Sequence, residues 1–206
     1  MAETFYYPNR MGRIILHSME EVMGRNGVNA LLKLASQNSL IENYPPDDTK
    51  PGFSFSTVGA LGGTLEQAYG PHGGRGLALR IGRACFNNGV RQYSSQMGIT
   101  ETAFRLLPLS AKLSAGAGAL AELFNTITDQ RVRIEENGKR LLWHIERCPL
   151  CWGRHAHEPV CHLAVGLLQE ALYWLSGGKI FNVEEQTCIA TGDTSCTIVI
   201  DQSPVL

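Results

Sequence analysis

From Val160 onward the apolar residues Leu163, Ala164, Leu167, Leu168, Ala171, Leu172 and Leu175 recur every three or four positions, which is the spacing of one buried helix face. Pro159 suits the first turn of that helix, and Gly177-Gly178 suits its stop. On either side the period falls to two. Residues 131–146 (RVRIEENGKRLLWHIE) alternate about Asn137-Gly138, a pair that favours a two-residue hairpin turn. Residues 179–201 (KIFNVEEQTCIATGDTSCTIVID) predict two strands rich in Ile, Val and Thr around a turn at Gly192-Asp193.

The N-terminal half is patterned for helices. Residues 17–36 place Met19, Val22, Met23, Val28, Leu31, Leu32 and Ala35 at helical spacing around Gly24 and Gly27, which predicts two short helices or one interrupted helix. Residues 41–54 (IENYPPDDTKPGFS) carry three prolines and predict a loop. Residues 56–89 predict a helical hairpin with YGPHGGRG at its turn, and residues 101–129 predict further helix broken at Pro108. Gly116 and Gly118 each weaken that helix by about a kcal/mol and leave room for a ligand or a helix neighbour. Helices and strands segregated in this way indicate an α+β fold, with helices packed on one face of an antiparallel sheet. A short polar N-terminal arm, residues 1–16, precedes a single domain, residues 17–206, because no break in composition divides the chain.

Charge narrows the function. Eighteen Lys and Arg oppose nineteen Asp and Glu, and no basic stretch is dense enough to follow a phosphate backbone, so direct nucleic-acid binding is not expected. No apolar run reaches the roughly 20 residues of a membrane span, and the N-terminal residues lack the layout of a secretory signal. These features predict a cytoplasmic protein. Its six cysteines are then expected as thiols or metal ligands rather than disulfides.

Glu185-x-x-Cys188 and Cys196 flank one turn, and Cys161 begins the helix before them. Three thiolates and a carboxylate make a tetrahedral set suited to zinc. Spacing alone leaves a second reading open, in which these cysteines are small buried hydrophobes. Cys148-Pro-Leu-Cys151 is a further half-site for zinc, either with Cys161 and one of His155, His157 and His162, or with Cys188 and Cys196. A pocket lined by Phe104, Leu107, Phe124, Trp143, Leu168, Leu172 and Phe181 is expected for an apolar ligand. The chain has no nucleophile elbow, dinucleotide fingerprint or H-E-x-x-H. Its acidic pairs, Glu20-Glu21, Glu135-Glu136 and Glu184-Glu185, offer weak candidates for acid/base work. The glycine-rich GPHGGRG lacks the spacing of a phosphate loop and reads as a helix connection.

The stretch from Pro159 to Ile200 resembles the 4-vinyl reductase domain family, in which a cysteine at a helix start precedes E-x-x-C-x-x-x-G-D-x-x-C. Cys161, Glu185, Cys188, Gly192, Asp193 and Cys196 are all in place. Residues 20–27 (EEVMGRNG) and 65–83 (LEQAYGPHGGRGLALRIGR) are also similar to the family. The resemblance implies a fold shared with vesicle-tethering transport subunits and haem nitric-oxide-binding domains, a homodimer, and structural zinc on Cys161, Glu185, Cys188 and Cys196. It further implies a sensor or carrier for a small apolar or aromatic molecule, signalling through a separate regulatory partner protein. The alternative it implies is an accessory protein, or vinyl reductase, of tetrapyrrole (bacteriochlorophyll) biosynthesis. Because no nicotinamide or flavin motif is present, direct catalysis is not expected.

Overall fold

The chain begins with a short strand that its apolar pattern does not announce. In the computed structural model, which describes residues 4–93, 97–99 and 102–205, Tyr6–Pro8 (β1) pairs antiparallel with Pro51–Ser54 (β2). Helix α1 follows at once, over Asn9–Leu34. Residues 6–16, expected in a polar arm, are therefore strand and helix; the first three residues of that arm lie outside the described residues. The reason is a division of faces. Met11, Ile15 and Leu16 turn into the core, while Arg10 and Arg13 turn outward and bind Asp47 and the Pro45 carbonyl. The proline-rich stretch is loop up to Lys50, and its last four residues form β2.

Helix α1 is interrupted at Gly24. Phe55–Asn88 (α2), capped by Ser54 Oγ on the Thr57 amide at 3.1 Å, breaks at Gly70, with φ 72° and ψ 168°. Only glycine enters that region without steric cost, and Pro71 suits the first position of the helix that resumes. The two halves close on each other, since a methyl group at Gly74 would lie 2.8 Å from Glu66 Cα. The glycine-rich stretch is thus a helix connection. Thr102–Arg105 (α3) and Leu109–Ile127 (α4) follow.

Arg131–Asn137 (β3) and Arg140–Arg147 (β4) form the hairpin at Asn137-Gly138. His162–Ser176 (α5) ends on left-handed Gly177, and Phe181–Thr187 (β5) and Cys196–Pro204 (β6) complete a four-stranded antiparallel sheet of order β3-β4-β6-β5. The period of two holds, for Trp143, Ile145, Ile198, Ile200, Phe181 and Val183 are all buried. Helix α5 meets α2 backbone to backbone: a Cβ at Gly82 would strike the Leu163 carbonyl, and one at Gly166 the Leu79 carbonyl. Among the described residues no helix is long and apolar enough to cross a membrane.

Candidate metal centre

Strand order brings the cysteines together. β6 lies between β4 and β5, with Ile145 opposite Cys196 on one side and Thr187 opposite Thr197 on the other. At this one end of the sheet β4 runs out into Cys148-x-x-Cys151, β5 delivers Glu185 and Cys188, and β6 starts with Cys196. Cys161, at the head of α5, closes the group. All five thiols are buried, and Glu185 is only 9% exposed.

The sulfurs of Cys161, Cys188 and Cys196 form a triangle with sides of 3.6, 3.8 and 3.8 Å. Zinc–sulfur bonds of about 2.3 Å in a tetrahedron require edges of about 3.8 Å. Cys148 lies 3.4 Å from Cys161, and Cys151 lies 3.4 Å from Cys196. Two overlapping groups of four have every donor atom within 4.8 Å of the others: Cys148, Cys151, Cys161 and Cys196, and Cys161, Glu185, Cys188 and Cys196. The cluster can therefore hold a metal ion. Among the described residues no histidine joins either group; His157 and His162 line an outer groove of about 520 Å³ with His72, Arg75 and Glu185.

Local structure explains why these donors are held. In the first turn Arg154 N donates to the Cys151 carbonyl at 3.0 Å, and Trp152 packs edge-on against Phe5 and Phe55. Gly59 admits the Trp152 carbonyl against α2, and Arg154, 11% exposed, binds Glu66 at 2.6 Å. In the second turn Asp193 accepts the Cys188 amide at 2.9 Å, a bond that holds its carboxyl below the usual range. Ile189 N donates to Cys196 Sγ at 3.3 Å, the kind of outer hydrogen bond that stabilises a metal-bound thiolate.

Glu185 follows Phe181 and Val183 on the inward side of β5, so a carboxyl stands where the alternation calls for an apolar group. Its Oε2 accepts the Cys161 amide at 2.6 Å, while Oε1 is buried with no hydrogen-bond partner. Burial pushes this carboxyl up to about 9 and raises the Cys148 and Cys161 thiols. A divalent cation fits here because it gives Oε1 a partner and displaces the protons that burial retains.

The apolar core holds two voids of about 40 Å³ each. Tyr7, Met11, Cys85, Phe124, Trp143 and Leu168 border one, Val58, Leu61, Leu65 and Ile81 border the other, and Ile15, Leu150 and Leu163 border both. Of the expected pocket residues, Phe124, Trp143 and Leu168 meet at the first void. Leu172 and Phe181 are buried without bordering either, and Phe104 and Leu107 are half-buried and also border neither. Sequence reasoning missed the void's polar pair, in which the Tyr7 hydroxyl donates to Gln130 Oε1 at 2.7 Å. Tyr7 sits in the supposed arm and Gln130 in a polar connection, so no local signal joins them.

No curated protein sequence matches the chain. Among solved structures the chain is similar to an H-NOX protein from S. oneidensis in the Fe(II)NO ligation state, with TM-score 0.54 and 15% identity, covering 94% of this chain and 99% of that one. It is also similar to the Fe(II) unliganded H-NOX protein from K. algicida, with TM-score 0.55, 13% identity and coverage of 94% and 95%. The phenol-responsive sensory domain of the transcription activator PoxR, solved with phenol, gives TM-score 0.46 at 21% identity over 69% of this chain and 73% of that one. The H-NOX likeness shows the fold, helices on an antiparallel sheet. The segment that supplies all six candidate metal donors lies within residues 143–202, which match the family model of the 4-vinyl reductase domain, and this part of the chain belongs to that family.

Proposed function

We propose that the protein binds a small apolar or aromatic molecule in its core, and that zinc in the cysteine cluster clamps the layers around it. The observation that carries this reading is the pair of apolar voids divided only by the side chains of Ile15, Leu150 and Leu163. A benzene-sized guest needs a cavity of about 150 Å³, more than either void supplies. Rotation of those three side chains merges the two spaces, and the Tyr7–Gln130 pair offers one polar handle to a ligand hydroxyl. Leu150 lies between Cys148 and Cys151, so the wall that moves for the ligand belongs to the metal-holding turn. That link gives the bound state a route to the surface, where a second copy or a separate regulatory partner would read it.

Zinc suits the donors because thiolates are soft and the sulfur spacing matches its tetrahedron. When bound it supplies cross-linking and no reactive water, since four protein donors close the coordination shell. The chain's own groups do the rest: Ile189 N–H and Cys161 N–H orient the Cys196 sulfur and the Glu185 carboxylate.

Calorimetric titration with benzene, toluene and phenol tests the proposal on folded, metal-loaded protein. Saturable binding of one molecule per chain is expected, with at least a tenfold loss in Leu168→Trp, which fills the first void. Absence of any heat or thermal shift across the panel, up to the solubility of each compound, would overturn it.

A further inference from the structure

Six donors converge where a single tetrahedral ion uses four, and the way they divide is informative. The two groups of four share only Cys161 and Cys196, whose sulfurs are 3.6 Å apart. Each remaining pair comes from one neighbouring strand: Cys148 and Cys151 from the end of β4, Glu185 and Cys188 from the end of β5. Cys196 opens β6, the strand between them, and Cys161 overlies it from the head of α5. The sharing therefore follows from topology, since the central strand and the overlying helix are the two elements that both flanking pairs can reach.

We propose that the cluster is a binuclear centre for two divalent thiophilic cations, with Cys161 and Cys196 bridging, Cys148 and Cys151 completing one tetrahedron, and Glu185 and Cys188 completing the other. The proposal extends the single-ion zinc reading and rests on it. Two tetrahedra sharing an edge require bridging sulfurs separated by about one tetrahedral edge, about 3.8 Å for zinc, and the observed pair meets that demand. With one ion on Cys161, Glu185, Cys188 and Cys196, the thiols of Cys148 and Cys151 stay buried at 3.4 Å from bound thiolates. Their only other recorded hydrogen bond is a 3.9 Å contact from Cys151 to the Cys148 carbonyl. A second divalent ion takes the place of those two thiol protons, so the net charge of the buried centre is the same with one ion or two. Entry of the second ion thus adds four metal–ligand bonds without adding buried charge.

Metal stoichiometry on the whole chain decides the matter. Reduced, metal-depleted protein is reloaded anaerobically with zinc and weighed by native mass spectrometry, and in parallel with ¹¹³Cd for NMR. Two ions per chain are expected, with two cadmium resonances split by each other through the bridging sulfurs. Cys148→Ser/Cys151→Ser and, separately, Glu185→Ala should each fall to one ion, whereas Cys161→Ser should weaken both. The wild-type measurement stands even where a variant fails to fold. One ion per chain overturns the binuclear proposal and leaves the zinc clamp intact; no ion overturns both. Acid-labile sulfide with visible absorbance, or disulfides joining Cys148 to Cys161 and Cys151 to Cys196 in protein purified under reducing conditions, also overturns it.

Discussion

Tyr7 and Gln130 show how a single hydrogen bond conditions a cavity. Both are buried, at 6% exposure each, and satisfy one another at 2.7 Å beside the first void. Burial raises the Tyr7 hydroxyl well above its ordinary value, so it remains a neutral donor at any working pH. Removing the donor in Tyr7→Phe leaves Gln130 Oε1 in the core without its partner, which costs about 1–3 kcal/mol. Chemical denaturation should show a loss in that range, and Tyr7→Phe/Gln130→Met should recover most of it because neither polar partner then remains. A double variant as unstable as the single one would mean that the pair matters through shape instead. Cys85 borders the same void, and burial pushes its thiol up to about 12. It should resist thiol reagents in the native protein and react on unfolding, a difference that a timed thiol assay reads directly. Glu185 was legible as a functional residue because it stands three positions before Cys188 in a strand that otherwise alternates cleanly. Tyr7 and Gln130 were not, since their contact spans most of the chain.

At the scale of elements, the glycines separate by what surrounds them. Gly166 and Gly82 lie where α2 and α5 cross with carbonyl oxygens in the place of a Cβ, while a Cβ at Gly118 on α4 meets nothing within 4 Å. Helix propensity alone favours alanine at all three positions by about 1 kcal/mol. Overpacking reverses the sign at the crossing, where backbone must give way, by about 1–3 kcal/mol. Gly166→Ala should therefore lower stability in a denaturant titration, and Gly118→Ala should raise it by up to about 1 kcal/mol. Equal effects would show that the crossing yields freely. The hairpin of β3 and β4, helix α5 and the strand pair β5 and β6 could be read from local period and turn residues. β1 and β2 could not, because three and four residues with two prolines among them form strands only by finding each other. The early start of α1 was hidden for a related reason: its arginines look like a solvated arm until the 45–48 loop is there to bind them.

The metal centre is a property of the whole C-terminal fold. Cys161, Glu185, Cys188 and Cys196 carry a recognisable pattern, but the approach of Cys148 and Cys151 depends on β4 lying beside β6, a pairing that no spacing announces. An ion at this point ties together the ends of three strands and the head of α5, which itself packs on α2. Binding only the folded state at a thousandfold excess over the dissociation constant contributes about 4 kcal/mol. For a chain of this size each kcal/mol moves the midpoint by roughly 2–4 °C. Stripping the metal with a strong chelator, under reducing conditions so that disulfides do not replace it, should lower the melting temperature by roughly 8–16 °C. Hydrogen exchange should show the loss first in the turns at residues 148–154 and 188–196, which have few regular backbone bonds of their own. Helix α1 and the β1–β2 pair make their main contacts with α2 and each other, and should keep their protection until global unfolding. Metal analysis confirming complete removal, with the melting temperature unchanged, would show that the cluster is held by packing alone and that the ion is not the clamp.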